Sequence, residues 1–228
     1  MKTTSKSIKG LTQASYEICK KRFDTKNTAK LYSTRHLTSR KGKREMACIK
    51  SALTDVKQNS LILDLPCGTG RLTYFINQLG FRVLAADYST HMLDYAKKNP
   101  SKQSTPNSVS FERQDVTAIK HPDNAFEAAV CNRLFHHFPT SDLRQKALKE
   151  LARVTHGPII VSFFNSYSLS AVWSKLKNWL RNKKPFDRVP IAYHTFKKDI
   201  ESCGLTIQTT YYSKFGISPQ TYVKLVKK

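Results

Sequence analysis

Apolar positions along the chain follow two alternating patterns. Short, largely apolar runs at Leu61–Leu63, Phe81–Ala86, Val109–Phe111, Phe126–Cys131 and Ile159–Phe164 read as buried strands. Between them apolar residues recur every three or four positions, as an amphipathic helix requires. Leu72, Phe75, Ile76 and Leu79 form one such stripe, Met92, Leu93 and Ala96 a second, and Leu143, Ala147, Leu148, Leu151 and Val154 a third. Ahead of the first strand, Met46, Ile49, Leu53 and Val56 keep the same spacing. Ser89 and Ser141 stand where N-caps are expected, and Gly80 stands where a helix should stop. Near the end come a helix (His194 to Cys203), Gly204 as its stop, and strand-like runs Leu205–Tyr212 and Thr221–Val226, read as an antiparallel edge pair. Strands alternating with helices imply parallel βαβ units. The expected fold is α/β, a doubly wound and mostly parallel sheet of seven strands.

The two polar ends of this pattern differ from its middle. Residues 1–45 are basic, with scattered aromatics at Tyr16, Phe23 and Tyr32, and read as an N-terminal helical extension to a domain spanning 46–228. Such an extension can cover a pocket, and Tyr32 and Arg35 are the candidates for reaching a substrate. Residues 165–195 read as a lid-like insertion carrying a helix from Ser168 to Lys184. Leu169, Val172, Trp173, Leu176, Trp179 and Leu180 form one face of that helix, and Lys175, Lys177, Arg181, Lys183 and Lys184 occupy the rest. Packing of the apolar face onto the domain is the expectation, because that is what amphipathic helices of globular proteins do. The alternative is an anionic membrane surface. Tyr193 and His194, before the last helix, are expected to complete the substrate pocket.

Composition changes the picture in one respect. With 39 Lys+Arg against 16 Asp+Glu the chain carries a formal charge of +23. That excess suits a polyanion, an anionic membrane or an acidic small substrate, although it says nothing about fold. The five cysteines (Cys19, Cys48, Cys67, Cys131, Cys203) form no C-x-x-C pair, so a reduced, cytoplasmic protein is expected, with neither a disulfide framework nor a metal site. No run of about 18 apolar residues suggests a membrane span. The basic start, MKTTSKSIKGLTQ, lacks the apolar core of a secretory signal and reads as a frayed terminus.

Candidate chemistry concentrates at LILDLPCGTG, residues 61–70. There a buried strand, a turn with two glycines and a helix start follow one another. Gly68 and Gly70 give a ligand close access to backbone, and the helix start offers free N–H groups. A nucleoside-type cofactor is the natural occupant. About 20 residues on, at the tip of the second strand, Asp87 is placed to accept both hydroxyls of a ribose, as in folds that bind NAD or S-adenosylmethionine. The dinucleotide fingerprint fails here, because Thr73 stands where a third glycine or alanine should pack helix on strand. An anion at Asp64 would also repel a pyrophosphate while suiting a cationic, amino-bearing ligand.

These residues in order resemble the class I S-adenosylmethionine-dependent methyltransferases, whose fold is Rossmann-like. Asp64-Leu65-Pro66-Cys67-Gly68-Thr69-Gly70 is similar to the family's first motif, and Val83 to Met92 to its second-strand motif. Gln114-Asp115-Val116 resembles the adenine-facing segment. Phe126 to Pro139 resembles the fourth motif and following loop of small-molecule enzymes, among them those of ubiquinone and menaquinone biosynthesis. The likeness spans roughly residues 45–165. It implies S-adenosylmethionine as cofactor, with Asp64 orienting its amino end and the loop Pro66, Cys67, Gly68, Thr69 and Gly70 lying beside its methionine part. By the same resemblance Asp87 takes the ribose, Tyr88 and Met92 flank the adenine, Asp115 and Val116 meet its edge, and Asn132 and Arg133 lie near the sulfonium. His136 and His137 sit where a base would serve if the acceptor must lose a proton, His137 being preferred. The acceptor implied is small or lipid-linked, and anionic, with the protein cytoplasmic or peripheral at a membrane. An RNA methyltransferase and a non-catalytic cofactor-binding protein are the alternatives.

Overall fold

A computed structural model describes residues 16–33, 39–99, 108–180 and 189–228, without the side chains of 174–176 and 178–180. Arg35, the terminus before residue 16 and the cations Arg181, Lys183 and Lys184 lie outside the described residues. Seven strands form one sheet in the order β3-β2-β1-β4-β5-β7-β6. They are β1 (Leu61–Asp64), β2 (Arg82–Asp87), β3 (Val109–Arg113), β4 (Ala128–Cys131), β5 (Ile159–Phe164), β6 (Leu205–Tyr212) and β7 (Gln220–Lys227). β1 to β5 pair parallel, and β7 alone runs against its neighbours β5 and β6. The last two strands therefore pair antiparallel as the pattern predicts, but β7 is inserted between β5 and the edge strand β6. A reversed β7 needs no crossover helix, because a short loop closes the β6–β7 hairpin.

Helices α3 (Arg40–Ala52) and α4 (Arg71–Gln78) bury Ile49, Ala52, Leu72 and Ile76 against one face of the sheet. Helices α6 (Ser141–Val154) and α8 (Tyr193–Glu201) bury Leu148, Leu151, Phe196 and Ile200 against the other. Both apolar faces of a parallel sheet are thereby covered. Ser89 caps α5 (Thr90–Lys97) by accepting from the Met92 N–H at 3.3 Å. Ser141 does not cap α6. Thr140 holds the N-cap position without a side-chain bond, and the Ser141 hydroxyl accepts from Arg144 at 2.8 Å instead. Arg144 is itself buried against Asp199, so the hydroxyl is worth more to that ion pair than to a helix end.

Before the sheet, helical residues 16–23 (α1) and α2 (Lys26–Ser33) precede α3, which runs unbroken across position 45. α7 (Leu169–Leu180) follows β5. The pair β1 and β4 sits where the strand order reverses, and in open sheets of this kind ligands bind beyond the carboxyl ends of those strands.

Candidate active site

The acidic residue that ends β1, the acid that ends β2 and the amide that follows β4 all open into one cavity of about 730 Å³ at this switch point. Asp64 is 1% exposed. Its Oδ2 accepts from the Thr73 hydroxyl at 2.7 Å, whereas its Oδ1 is buried with no hydrogen-bond partner. A buried carboxylate oxygen without a donor is costly, so this one marks a place for a ligand group that donates. Burial, and to a smaller degree the negative charge of Asp87, push the Asp64 carboxyl up to about 7, against the Thr73 hydrogen bond. Asp87 accepts from the Gly68 and Ser89 N–H groups, both at 2.9 Å. Burial raises it to about 6, opposed by those two bonds. Two buried carboxyls with raised proton affinity facing one cavity are a functional pattern.

The glycine turn does two separate jobs. At Gly68, φ is +55° and a Cβ would meet nothing within 4 Å, so its surface lies open. At Gly70, φ is +76° and a Cβ would stand 3.1 Å from both Ala96 Cβ and Tyr74 Cε2. Gly70 is thus required for helix packing and does not line the cavity, contrary to the expectation that both glycines admit a ligand. Thr73, which sequence patterning registers only as the wrong residue for a dinucleotide, is the donor that holds Asp64.

Of the remaining expected cofactor residues, Pro66, Cys67, Thr69, Tyr88, Met92, Val116, Asn132 and Arg133 line the cavity. Asn132 is fixed by the Ser162 hydroxyl at 2.8 Å, and Arg133 adopts a left-handed conformation (φ 62°) with its N–H on the same hydroxyl. Asp115 does not line the cavity, and its carboxylate is already engaged. It accepts from the Tyr16 hydroxyl, from Lys20 Nζ at 2.8 Å and from Thr117. Burial alone would raise its carboxyl, but these bonds hold it below the usual range. The structure therefore gives Asp115 the task of anchoring α1, where the sequence reading gave it the adenine amino group.

That anchor brings the N-terminal extension over the site. Lys20 lies over the rings of Tyr16 (4.2 Å) and Tyr88 (4.6 Å), a cation–π contact on both. Phe23 and Tyr32 meet edge to face at 5.9 Å, and Phe23 also meets the His137 ring at 4.9 Å. Tyr32 is where the sequence reading placed it. Tyr16, Cys19, Lys20 and Phe23 were missed as wall residues, although their helical spacing on one stripe was a usable signal.

Deeper in the cavity α3 contributes Glu45, 1% exposed, which bonds Arg71 at 2.5 Å and lies 3.5 Å from Arg133. The reading missed it because a single glutamate in REMACIKSA looks like a solvated charge. His136 is buried, stacked on Phe164 at 4.0 Å, and His137 lies beside it at the wall, rings 4.2 Å apart. Tyr193 is not brought to the cavity, since its hydroxyl meets Thr210 at 3.2 Å and its ring packs on Phe163. His194 is likewise elsewhere, 3.0 Å from the Tyr167 hydroxyl. Both stand at the end of the insertion in sequence, but they open α8, which packs against β6 and α6. Among the described residues no group of three or more His, Cys, Asp or Glu is placed to hold a metal ion.

This sheet order, with paired acids at the tips of β1 and β2 and a cavity beyond them, defines a class I methyltransferase fold. A family described as a methyltransferase domain matches residues 62–157, which supports the likeness to class I S-adenosylmethionine-dependent methyltransferases. It is similar to the demethylmenaquinone methyltransferase of Paenarthrobacter aurescens, 29% identical over 54% of this chain and 45% of that one. It also resembles a mouse protein named "Probable tRNA methyltransferase 9B", 27% identical over 46% of this chain and 22% of that one. Among solved structures, magnesium protoporphyrin IX methyltransferase (ChlM) from Synechocystis PCC 6803 with bound SAH shares the fold. Its TM-score is 0.74 at 15% identity, over 93% of this chain and all of that one. The chain spans about half or less of the length of the curated relatives it matches.

Proposed function

We propose that the protein transfers a methyl group from S-adenosylmethionine to a small or lipid-linked acceptor, held between the cofactor and the N-terminal helices. The observation that carries this reading is the buried, donor-less Oδ1 of Asp64 opening into the same cavity as Asp87. The cofactor's ammonium supplies the missing donor and its ribose hydroxyls suit Asp87, so the residues present fit the group. When bound, it supplies an electrophilic methyl on a sulfonium. Alignment and exclusion of water then provide much of the acceleration, and walls built from Phe23, Tyr32, Leu134 and Phe138 are suited to both. His137, at the wall beside Phe23, is the group proposed to take a proton from the acceptor. His136 is packed flat against Phe164 and serves as its support.

A cavity walled on one side by α1 and α2 suits a small acceptor, and its volume is that of an ordinary small-molecule site. A charge of +23 and the tRNA methyltransferase relative favour RNA as the second reading. Labelled methyl transfer into fractionated cell extract separates the two. Label in the small-molecule or lipid fraction is expected, and label confined to RNA would replace the first reading by the second.

Substituting His137→Ala should slow turnover on that acceptor by about 100-fold or more while leaving cofactor affinity unchanged by calorimetry. Full activity would remove His137 as the base.

The raised carboxyls predict a pH dependence. In the ligand-free protein Asp64 and Asp87 retain protons that the unfolded chain releases near pH 4, so the folded state binds more protons over the interval from there to about 7. Folding stability of the ligand-free protein should therefore fall as pH rises across that interval. A cationic ligand needs Asp64 ionised, so its affinity should climb up to about tenfold per unit below pH 7 and level off above. Calorimetry at pH 6.5 in two buffers of different ionisation heat should register proton release on binding, and equal heats would contradict it.

A further inference from the structure

The start of helix α7 does not pack as its amphipathic pattern suggests. Leu169 is 65% exposed and Trp173 67%, and Val172 is also exposed, while Ala171 is the buried residue of its first turn. Beside it the loop joining β6 to β7 presents Phe215 at 77% exposure together with Ile217 and Tyr212. The two segments are tied together, for the Leu169 N–H donates to the Gly216 carbonyl at 2.9 Å and the Ser170 N–H to the Ile217 carbonyl at 3.2 Å. Leaving this much aromatic and aliphatic surface in water is unfavourable, and a contiguous patch of it marks an interaction surface.

Charge narrows the partner. From Asn165 to Phe186 the sequence holds five cations and no acid, and no acid follows Glu201. Lys177 on α7 and Lys214 in the loop are both exposed. We propose that α7 and the β6–β7 loop form a docking surface for an anionic lipid bilayer. Trp173, Leu169 and Phe215 enter the headgroup–acyl boundary, and Lys177 and Lys214 pair with lipid phosphates. Aromatic and aliphatic residues ringed by lysine fit such an interface. A second copy of the chain fits poorly, because it would bring like charges face to face. RNA could stack bases on Trp173 and Phe215 but would leave the aliphatic Leu169, Val172 and Ile217 without an apolar partner, which a bilayer supplies. β5, which leads into α7, ends at Phe164, stacked on His136 of the cavity wall at 4.0 Å. The inference does not depend on methyl transfer.

The chain's two tryptophans, Trp173 and Trp179, are both on α7, so tryptophan emission reports this helix alone. With vesicles of phosphatidylcholine and phosphatidylglycerol, the full chain should co-sediment and its emission should shift to the blue. Lipids brominated along the acyl chain should quench it. Pure phosphatidylcholine should bind it far more weakly. The double substitution Phe215→Ser and Ile217→Ser should lower partitioning about tenfold while leaving S-adenosylmethionine affinity unchanged, which shows that the variant is folded. Four results would each overturn the proposal. One is the absence of a shift at saturating anionic vesicles, and another is binding without bromine quenching. The third is a vesicle-independent shift that tracks dimerisation by light scattering. The last is a shift produced by RNA and not by vesicles.

Discussion

Replacing Asp87 by Ala is expected to lower S-adenosylmethionine affinity by at least about 100-fold, below detection in an ordinary calorimetric titration. Hydrogen bonds to a charged acceptor contribute on the order of 1.5–3 kcal/mol each, and a ribose offers two hydroxyls. The side chain also organises the loop, because its two oxygens hold the Gly68 and Ser89 N–H groups. Removing it leaves both donors unpaired, so some loss of stability accompanies the loss of binding. Asp87→Asn separates the effects, since the amide oxygen keeps one of the two backbone bonds and the negative charge is gone. A variant that melts like the parent yet binds the cofactor tens of times more weakly would assign the defect to recognition. Unchanged affinity in both variants would remove Asp87 from the site.

Glu45→Ala should produce a large loss of stability. The carboxylate is buried between Arg71 and Arg133, themselves only 18% and 22% exposed, and removing it leaves two guanidinium groups facing each other. Breaking a buried ion pair from one side costs on the order of 3 kcal/mol, equivalent to roughly 6–12 °C in Tm for a chain of this size. Glu45→Gln should recover part of this by keeping an acceptor without the charge. A thermal scan showing less than about 2 °C of change for Glu45→Ala would mean that the arginines find other partners. Because Arg133 follows β4 and Arg71 opens α4, the same substitution should also weaken cofactor binding.

Elements set by local pattern were legible in the sequence. β1 to β5 follow from apolar runs, α4 to α6 from their stripes, and the cofactor from Asp64, the glycine turn and Asp87. All of these depend on residues within a few positions of each other, or on a fold-wide rule about where strand ends lie. Partnerships across the chain were not legible. Asp115 was read as a cofactor residue because its segment matches, yet a lysine and a tyrosine almost a hundred residues earlier occupy its carboxylate. Position before the last helix suggests the cavity for Tyr193, whereas packing of α8 on β6 takes its hydroxyl to Thr210.

The sequence by itself determined the strand–helix alternation, the switch-point site and the chemistry of its cofactor, because hydrophobic period and turn residues act over short distances. Only the tertiary structure decided that α1, α2 and the start of α3 wall the cavity, that Glu45 joins two arginines within it, and that Gly70 serves packing. It also decided that Leu169, Val172 and Trp173 of α7 stay in solvent. An amphipathic stripe records that a face is apolar, but what covers that face depends on elements far away in the chain. A charge in sequence has no sign of its partner until the fold brings one within a few ångströms.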